Sequence, residues 1–278
     1  MIKRISIVGC GWLGLPLAQF LLAEGYRVLG SRRKLEELES LGHLGIEAYQ
    51  LDLAPQLQSN NIAALLACDL LIVNIPPGRK TNTADYHIAQ ITALLDAATE
   101  HGVKKILFIS STSVYGPQQG IVDEYTARHP TTRSGIALSH IEDKLFASRA
   151  YQASVLRFSG LLGGQRKPGR FLSGKTVSGA KSPVNVIHRQ DCIALIGALI
   201  QRDIWGEQFN ACSDLHPTKQ EFYELAAEQL GLVAPTFTAG EVSNKRIDNH
   251  RIKAVLNYQF SYPDPMQWLI EHQQEAES

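Results

Sequence analysis

The sequence predicts an α/β fold, a doubly wound parallel sheet with a smaller C-terminal substrate lobe. Short apolar segments alternate with longer helical patterns through the first half of the chain. These segments are apolar enough to be covered by helices on both faces, which is typical of a parallel sheet. The strand candidates are RISIVG, YRVLGS, IEAYQLDL, DLLIVNI, KKILFISS and SVLRFSG.

Length and charge limit the function classes. The 278 residues, 44% of them hydrophobic, suit one large domain or one domain with a smaller lobe. The 27 Lys and Arg residues balance 27 Asp and Glu residues, which argues against a nucleic-acid or membrane-surface partner. The chain has no uninterrupted apolar run of about 18 residues, as a membrane span would need. We therefore expect a small-molecule substrate and a cytoplasmic location.

The cysteines indicate neither a metal site nor a disulfide framework. Cys10, Cys68, Cys192 and Cys212 are scattered without C-x-x-C spacing or a nearby histidine pair. We expect buried free thiols and no metal.

The chain divides by composition near residue 158. Residues 1–158, with a late contribution from about 184–212, are predicted to form the dinucleotide-binding domain, and 159–183 with 213–278 the small substrate lobe. A glycine-rich and basic stretch, 160–185, is too long for a plain connection and is read as either a substrate loop or a mobile lid. Thr218 followed by Glu221 predicts a capping box at a late helix.

One helix is marked clearly in the first half. In the segment TADYHIAQITALLDAATEHG the apolar residues recur at the spacing of one helix face. The segment ends in a glycine, which suits the C-terminus of a helix. The predicted buried stripe is Ile88, Ile91, Leu95 and Ala98, and the predicted end of the helix is Gly102.

The segment SIVGCGWLG predicts a Rossmann dinucleotide site. Gly9, Gly11 and Gly14 form G-x-G-x-x-G directly after a strand and at the start of a helix, with Trp12 and Leu13 between the last two glycines. Gly9 permits the tight turn, Gly11 lets the backbone approach a pyrophosphate, and Gly14 brings helix and strand together. The alternative is a turn whose glycines serve packing only.

The end of the second predicted strand indicates NADP rather than NAD. An NAD site places an acid there to hold the ribose 2′-hydroxyl, but here Ser31 stands in that position and Arg32 and Arg33 follow. Guanidinium groups suit a 2′-phosphate. The alternative is that both arginines are solvated loop residues. NAD is the second choice of cofactor.

Two further strand ends are predicted to border the cofactor. Asp52 follows the third strand and could accept from the adenine amino group, although an Asp at a strand end is often only a turn residue. Asn74, Ile75 and Pro76 follow the fourth strand, where they would lie beside the cofactor and line the nicotinamide pocket.

The segment FISSTSVYG, residues 108–116, resembles the extended short-chain dehydrogenase/reductase superfamily, whose sugar-nucleotide epimerases and dehydratases carry S-S-x-x-V-Y-G at this strand. The similarity continues in VDEYTARHP, LRFSGLLGG, NVIHRQDCIAL and GEQFNACSD, so it covers nearly the whole chain. The resemblance implies that Ser111 is the catalytic serine. The resemblance also implies that the chain could form a homodimer.

The sequence departs from this superfamily at the Y-x-x-x-K motif of the next helix. With Glu142 aligned to the family's glutamate, Ser134 stands in place of the tyrosine and Leu138 in place of the lysine. Both catalytic side chains are thus missing, and the chain most resembles an atypical branch, the bacterial YeeZ-like proteins.

Another residue must then donate the proton if the protein is an enzyme. Tyr115, four residues after Ser111, is our first candidate, with Tyr125, His140 and Lys144 as alternatives. We expect His140 and Lys144 to be solvated helix residues.

The late loop carries the candidate substrate contacts. Arg166, Lys167 and Arg170 lie among glycines and would suit a substrate phosphate or diphosphate, the alternative being a solvated flexible loop. His188 is similar to the family's late histidine, which implies substrate binding, while a structural histidine is the other interpretation.

These observations predict an NAD(P)-dependent oxidoreductase or an epimerase/dehydratase-like enzyme of the atypical type. Its substrate would carry a hydroxyl or keto group and could be a nucleotide sugar. The alternative is a catalytically inactive NAD(P)-binding sensor or regulatory protein, which the absence of tyrosine and lysine favours.

Overall fold

The computed structural model describes residues 2–53, 56–78, 83–117 and 120–271. Strands and helices alternate through its first part, as predicted. The strands are β1 (Arg4–Val8), β2 (Arg27–Arg32), β3 (Glu47–Asp52), β4 (Gln58–Ser59), β5 (Leu70–Val73), β6 (Lys105–Ser111), β7 (Ile121–Val122), β8 (Gln152–Phe158), β9 (Gly160–Leu162), β10 (Thr176–Ser178), β11 (Val186–His188), β12 (Gln208–Ala211), β13 (Thr236–Thr238) and β14 (Arg246–Ile247). The α-helices are α1 (Gly14–Ala23), α2 (Leu38–Gly42), α3 (Ile62–Leu66), α4 (Ala84–Glu100), α5 (Arg133–Ala147), α6 (Gly169–Leu172), α7 (Arg189–Gln201), α8 (Lys219–Glu228), α9 (His250–Leu256) and α10 (Pro265–Glu271).

The central sheet has eight strands in the order β12-β8-β6-β5-β1-β2-β3-β4. β1 pairs in parallel with β2 and β5, β2 with β3, and β5 with β6, whereas the short β4 runs antiparallel to β3. The carboxyl ends of β3, β2, β1, β5 and β6 therefore follow one another along one edge. The predicted doubly wound sheet is confirmed, and that edge is where open α/β sheets bind ligands.

Apolar β-branched residues form the buried centre of the sheet. Ile5, Ile7 and Val8 of β1 are fully buried, because β1 has a strand on each side and helices on both faces. Helices α1 and α7 also pack closely against each other. A Cβ added at Gly197 of α7 would lie 2.6 Å from the ring of Phe20 on α1.

The helix signals are confirmed with one correction. Thr218 and Glu221 form the predicted capping box at α8, and Gly102, with φ +74°, follows the last residues of α4. The predicted stripe on α4 was wrong at its first position, since Ile88 is only half-buried. The buried residues of α4 are His87, Ile91, Leu94, Leu95 and Ala98.

The chain forms two compact units. Unit 1 is Met1–Val114, Pro130–Arg157 and Ile196–Gln208, and unit 2 is Tyr115–His129, Phe158–Leu195 and Phe209–Ser278. The division at Arg157 lies next to the predicted boundary at residue 158. Three segments placed by composition in the dinucleotide-binding domain lie in unit 2, namely 115–129, 184–195 and 209–212.

Unit 2 has a core of its own. Gly169 lets α6 lie against α8, because a Cβ there would be 2.0 Å from the carbonyl oxygen of Ala226. The glycine-rich stretch 160–185 carries β9, α6 and β10. The core consists of Leu162, Val184, Val186, Phe222, Ala226, Trp268 and Leu269.

The cysteines are free thiols. Cys10, Cys192 and Cys212 are buried and Cys68 is half-buried. Burial raises the pKa of the Cys10 thiol to about 11, so it is protonated at neutral pH.

Within the described ranges, no helix is long and apolar enough to cross a membrane.

Candidate functional site

The glycine turn after β1 is sterically constrained at two positions. Gly9 has φ +104°, and a Cβ there would lie 2.5 Å from the carbonyl oxygen of Asn74. A Cβ at Gly14 would lie 2.2 Å from the carbonyl oxygen of Gly9. Only glycine fits either position, because a side chain would collide with backbone.

Gly11 differs from these two glycines, since no atom lies within 4 Å of the position that its Cβ would occupy. Open space thus borders the turn just before α1. The first turn of α1 contains no acidic residue, and the first amides of a helix have no partner within the helix. Backbone amides, a favourable helix dipole and free space together fit an anion such as a pyrophosphate.

Hydrogen bonds hold the turn to the two neighbouring strand ends. The amide of Gly9 donates to the Ser31 hydroxyl at 3.2 Å, and the amide of Cys10 donates to the Ser31 carbonyl at 3.1 Å. On the other side, the Asn74 side-chain amide donates to the Gly9 carbonyl at 3.1 Å. Asn74 therefore shapes the turn, a role that sequence reasoning missed.

The end of β2 carries no acid. Ser31 is 3% exposed, and Arg32 is half-buried, with its Nη1 3.9 Å from a carboxylate oxygen of Glu37. Among the described residues the buried Nε of Arg32 has no hydrogen-bond partner. Arg33 is exposed, and its carbonyl accepts from the Gln50 side chain at 3.0 Å. Arg32 thus ends the strand that anchors the glycine turn, and Arg33 follows it.

The remaining predicted cofactor residues also lie at this edge of unit 1. Asp52 is the last residue of β3 and is half-buried. Asn74 and Ile75 are half-buried and Pro76 is exposed, directly after β5. Trp12 and Leu13 lie between Gly11 and α1, where Leu13 is buried.

Ser111 ends β6 at the same edge. Its hydroxyl accepts a hydrogen bond of 3.1 Å from the amide of Ser113, an interaction that leaves the hydroxyl proton available for donation. The side chain is half-buried. It is therefore oriented and within reach of solvent or a ligand.

Beside Ser111, the preceding serine joins a buried ion pair. The Ser110 hydroxyl donates to Glu142 at 2.6 Å, and Arg157 donates to Glu142 at 2.7 and 3.1 Å. Arg157 also donates to Gln208 at 2.8 Å. Glu142 and Arg157 are 0% and 1% exposed. This network fixes α5 to β6 and β8 and explains why a glutamate stands at position 142.

α5 offers no substitute for the missing catalytic pair. Leu138 is 3% exposed and continues a buried stripe with Ile141 and Leu145, so the position of the family lysine is part of the core. Ser134 is half-buried, with its hydroxyl 3.3 Å from that of Thr132. As expected, His140 and Lys144 are exposed, and Lys144 lies 3.4 Å from Asp96.

Tyr115 lies in unit 2 and is 2% exposed. Its hydroxyl donates to the Asp123 carbonyl at 2.9 Å or to the Asn210 side-chain oxygen at 3.0 Å. These contacts are those of a structural tyrosine, and a catalytic role for it stays a prediction. Tyr125 is 79% exposed, with the Arg251 guanidinium 5.8 Å from its ring centre.

His188 lies in an aromatic cluster of unit 2. Its ring centre is 4.0 Å from that of Tyr262 and 5.4 Å from that of Trp268. Its Nδ1 accepts from the amide of Gln190 at 3.3 Å. A Cβ on Gly163 would be 2.4 Å from its Nε2. This packing favours the structural interpretation of His188.

The basic residues of the late loop also belong to unit 2. Arg166 is half-buried, and its amide donates to the Gly163 carbonyl at 3.1 Å. Arg170 lies on α6 and is exposed. Lys167 is half-buried.

In the described part of the chain no group of three or more His, Cys, Asp or Glu side chains could hold a metal ion.

A family model described as NAD(P)H-binding matches residues 9–202. The chain belongs to the NAD(P)H-binding family. The match begins at the first glycine of the turn and includes all the strand ends described above. The resemblance read from the sequence is therefore confirmed at the level of family.

Relatives of this NAD(P)H-binding protein agree with that assignment. Protein YeeZ of Escherichia coli (strain K12) is 38% identical over 268 residues, covering 95% of this chain and 98% of YeeZ. The structure of MoeE5 in complex with UDP-glucose and NAD matches with a TM-score of 0.78 at 18% identity over 98% of each chain. The structure of UDP-N-acetylglucosamine 4-epimerase from Bacillus cereus matches with a TM-score of 0.78 at 15% identity, covering 99% of this chain and 100% of the epimerase.

The two solved structures establish the fold that this family member shares. The family assignment itself rests on the NAD(P)H-binding family model and agrees with the similarity to YeeZ. The glycine turn, with open space at Gly11, fits the dinucleotide that the family binds.

Proposed function

We propose that this protein is an NADP-preferring oxidoreductase or epimerase/dehydratase-like enzyme that acts on a hydroxyl or keto group. The proposal rests on the residues that lie together at one edge of the sheet in unit 1. That edge holds a glycine turn open at Gly11, a strand end with Ser31 and two arginines, and the oriented hydroxyl of Ser111. The substrate class that we propose is a nucleotide sugar, as in the MoeE5 complex.

The preference for NADP rests on charge. An acid at the end of β2 would hold a ribose 2′-hydroxyl and repel a 2′-phosphate. Ser31 carries no charge, and Arg32 and Arg33 supply guanidinium groups that bind phosphate through paired hydrogen bonds.

The dinucleotide, when bound, supplies hydride transfer. We propose that Gly9, Gly11 and Gly14 and the amides near Trp12 and Leu13 hold its pyrophosphate. We propose that Asp52 contacts the adenine, and that Asn74, Ile75 and Pro76 border the nicotinamide pocket.

Ser111 is our proposed catalytic residue. Because its oxygen accepts from the Ser113 amide, its own proton can be donated to a substrate carbonyl oxygen. Such a donor stabilises the negative charge that develops on that oxygen during reduction.

In unit 2, we propose that Arg166 and Arg170 bind the phosphate groups of the substrate. Their position in a glycine-rich segment supports this, since glycines permit close approach of backbone to a ligand. His188 is packed between aromatic rings, which supports a structural role over substrate contact.

A second candidate function is an NAD(P)-binding sensor that does not catalyse a reaction. The observation that favours it is the burial of Leu138, 3% exposed, at the position of the family lysine. Leu138 carries no charge, so it cannot lower the pKa of a neighbouring proton donor as a lysine at that position would.

Turnover measurements separate the two functions. A panel of sugar nucleotides and small carbonyl compounds is assayed with NADPH, using the wild-type protein, Ser111→Ala and, as a control at the residue directly after α5, Ser148→Ala. The enzyme proposal expects turnover that Ser111→Ala lowers at least tenfold without changing NADPH affinity. Turnover unaffected by Ser111→Ala would contradict the role of Ser111, and binding without turnover on the whole panel would favour the sensor.

The proposed partner is the small-molecule substrate. The cytoplasmic location and the homodimer stay predictions.

A further inference from the structure

Glu37 carries a carboxylate next to one of the arginines on which the proposed preference for NADP depends. One of its carboxylate oxygens lies 3.9 Å from Nη1 of Arg32. Both side chains reach solvent, with 41% of the Glu37 side chain and 27% of the Arg32 side chain exposed. The proposed function gives this acid no role. It was missed in the sequence because an acid was sought at the end of β2 and not on the turn that follows.

The local backbone fixes Glu37 at this place. A single 3₁₀ turn, Leu35–Glu37, follows β2 and leads into α2. The amide of Glu37 donates to the Lys34 carbonyl at 3.2 Å, and the carbonyl of Glu37 accepts from the Ser40 hydroxyl at 2.7 Å. The backbone of Glu37 is thus held on both sides, so its carboxylate stays within reach of the Arg32 guanidinium.

The contact between Glu37 and Arg32 is an ion pair without a hydrogen bond. Its distance of 3.9 Å exceeds the range of about 2.7–3.2 Å that hydrogen bonds between nitrogen and oxygen occupy. Solvent-exposed ion pairs of this kind are weak, because water and salt screen both charges. A phosphate binds a guanidinium more strongly, through two parallel hydrogen bonds. It can therefore displace Glu37 from Arg32.

The two cofactors differ in charge at the place that Arg32 would contact. A phosphate monoester carries about −1.5 to −2 charges at pH 7, whereas the ribose 2′-hydroxyl of NAD carries none. A 2′-phosphate bound to Arg32 would take the cation from Glu37 and bring a second anion close to it. Both effects oppose the binding of NADP, and neither opposes the binding of NAD.

We propose that Glu37 limits the preference for NADP by competing with the 2′-phosphate for Arg32. This inference rests on the proposed function, because it takes Arg32 to bind that phosphate. Glu37 is a positioning residue, since it acts through the guanidinium that it contacts. It holds Arg32 in the free protein and gives it up when NADP binds. By weakening the binding of NADP, it favours exchange of the oxidised and reduced cofactor between reactions.

Calorimetric titration with three probes tests the proposal. NADPH and adenosine 2′,5′-bisphosphate both carry the 2′-phosphate, and NADH lacks it. The variants are Glu37→Gln, which removes the charge and keeps the size, Arg32→Ala, and the double variant. Glu36→Gln is the matched control, because Glu36 lies on the same 3₁₀ turn and contacts Lys34 at 3.1 Å. Each titration is made at low salt and at about 1 M salt, where screening acts within about 3 Å.

Glu37→Gln should bind NADPH and the bisphosphate about three- to fivefold more tightly than the wild type at low salt, and NADH equally. This gain should shrink at about 1 M salt, because a screened carboxylate competes less. Most of the gain should vanish in the Arg32→Ala background, since Glu37 acts through that guanidinium. The control should keep the wild-type ratio of NADPH affinity to NADH affinity.

Other results would overturn the inference. An unchanged ratio of NADPH affinity to NADH affinity in Glu37→Gln would show that Glu37 does not compete with the 2′-phosphate. An equal gain in Glu36→Gln, or a gain that persists in full without Arg32, would show a general effect of negative charge. An equal change for all three probes would show that Glu37 acts through the fold.

Failure of the proposed function has a different signature. The wild type would then bind NADPH no better than NADH, and Arg32→Ala would change neither affinity. A wild type that prefers NADPH through Arg32, with no response to Glu37→Gln, would leave the proposed function standing and overturn this inference alone.

Discussion

The hydroxyl of Ser31 accepts a hydrogen bond of 3.2 Å from the amide of Gly9. This bond joins the turn that would hold a pyrophosphate to the strand end that carries Arg32 and Arg33. The glycine turn and the strand end with the two arginines are therefore joined through one buried serine. An acid at this position would bring a negative charge next to the turn, so the serine suits a cofactor with an additional phosphate.

The two glycines around α1 should respond differently to alanine. Gly14→Ala places a Cβ 2.2 Å from the Gly9 carbonyl oxygen, and we expect it to lower the free energy of unfolding by about 1–3 kcal/mol. Gly11→Ala meets no atom within 4 Å, and we expect a change in stability within about 0.5 kcal/mol. Its methyl group would instead occupy ligand space and weaken NADPH binding at least tenfold.

Urea denaturation and calorimetric titration of both variants check this prediction. Tight NADPH binding by a folded Gly11→Ala protein would show that the open space at Gly11 does not receive the pyrophosphate.

The stability contributed by the buried ion pair of Glu142 and Arg157 should depend on the presence of both side chains. Arg157→Met leaves a buried carboxylate without its charge partner, and we expect it to cost about 3–5 kcal/mol of unfolding free energy. The double variant Glu142→Leu, Arg157→Met removes both charges and should recover most of that loss. Lys144→Ala, which breaks the exposed contact with Asp96, should cost less than about 1 kcal/mol.

Chemical denaturation at pH 7 of the wild type, Arg157→Met, Glu142→Leu and the double variant gives these differences as a double-mutant cycle. Additive losses in the double variant would contradict the assignment of a coupled buried pair.

Leu138 tests whether α5 retains a place for the family lysine. Leu138→Lys puts an ammonium group at a position that is 3% exposed, and we expect a loss of at least about 2 kcal/mol from lost packing and charge burial. Restoring the lysine should therefore bring no gain in turnover. A variant as stable as the wild type, with higher activity, would mean that the position faces the substrate.

Asp123 should make part of the stability depend on pH. The hydroxyl of Thr126 donates to its carboxylate at 2.7 Å, and this contact, with those from the Thr126 and Tyr125 amides, holds the pKa of Asp123 below its ordinary value. The stabilisation is present above the ordinary aspartate pKa of about 3.9 and is lost as the pH falls through the lowered value.

Thr126→Val removes the hydroxyl, and we expect it to cost about 1 kcal/mol at pH 7. The difference from the wild type should shrink below about pH 4, while Thr126→Ser should behave as the wild type. Denaturation curves between pH 3 and 7 make the comparison; a difference that grows in acid would contradict it.

Local patterns in the sequence predict much of unit 1. The fold class follows from the alternation of apolar segments, and the turn from the spacing of Gly9, Gly11 and Gly14. In unit 2, the capping box at Thr218 is also a local signal. Each depends on residues close together in the chain, so each can be read without the tertiary structure.

Long-range contacts explain what the sequence left undetermined. The Tyr115 hydroxyl meets Asn210, and the Asn74 side chain meets Gly9, pairs that no local pattern brings together. His87 was missed for a different reason, because polar residues on an amphipathic helix are expected outside its buried face.

Comparison of NADPH with NADH by calorimetric titration, on protein freed of co-purified nucleotide, tests the central claim most directly. The wild type is measured with Arg32→Ala, Arg33→Ala, the double variant and the exposed control Arg202→Ala. We expect NADPH to bind at least tenfold more tightly than NADH, and the double variant to lose this preference while still binding NADH. Tighter binding of NADH by the wild type, or a preference for NADPH that survives without both arginines, would contradict the account.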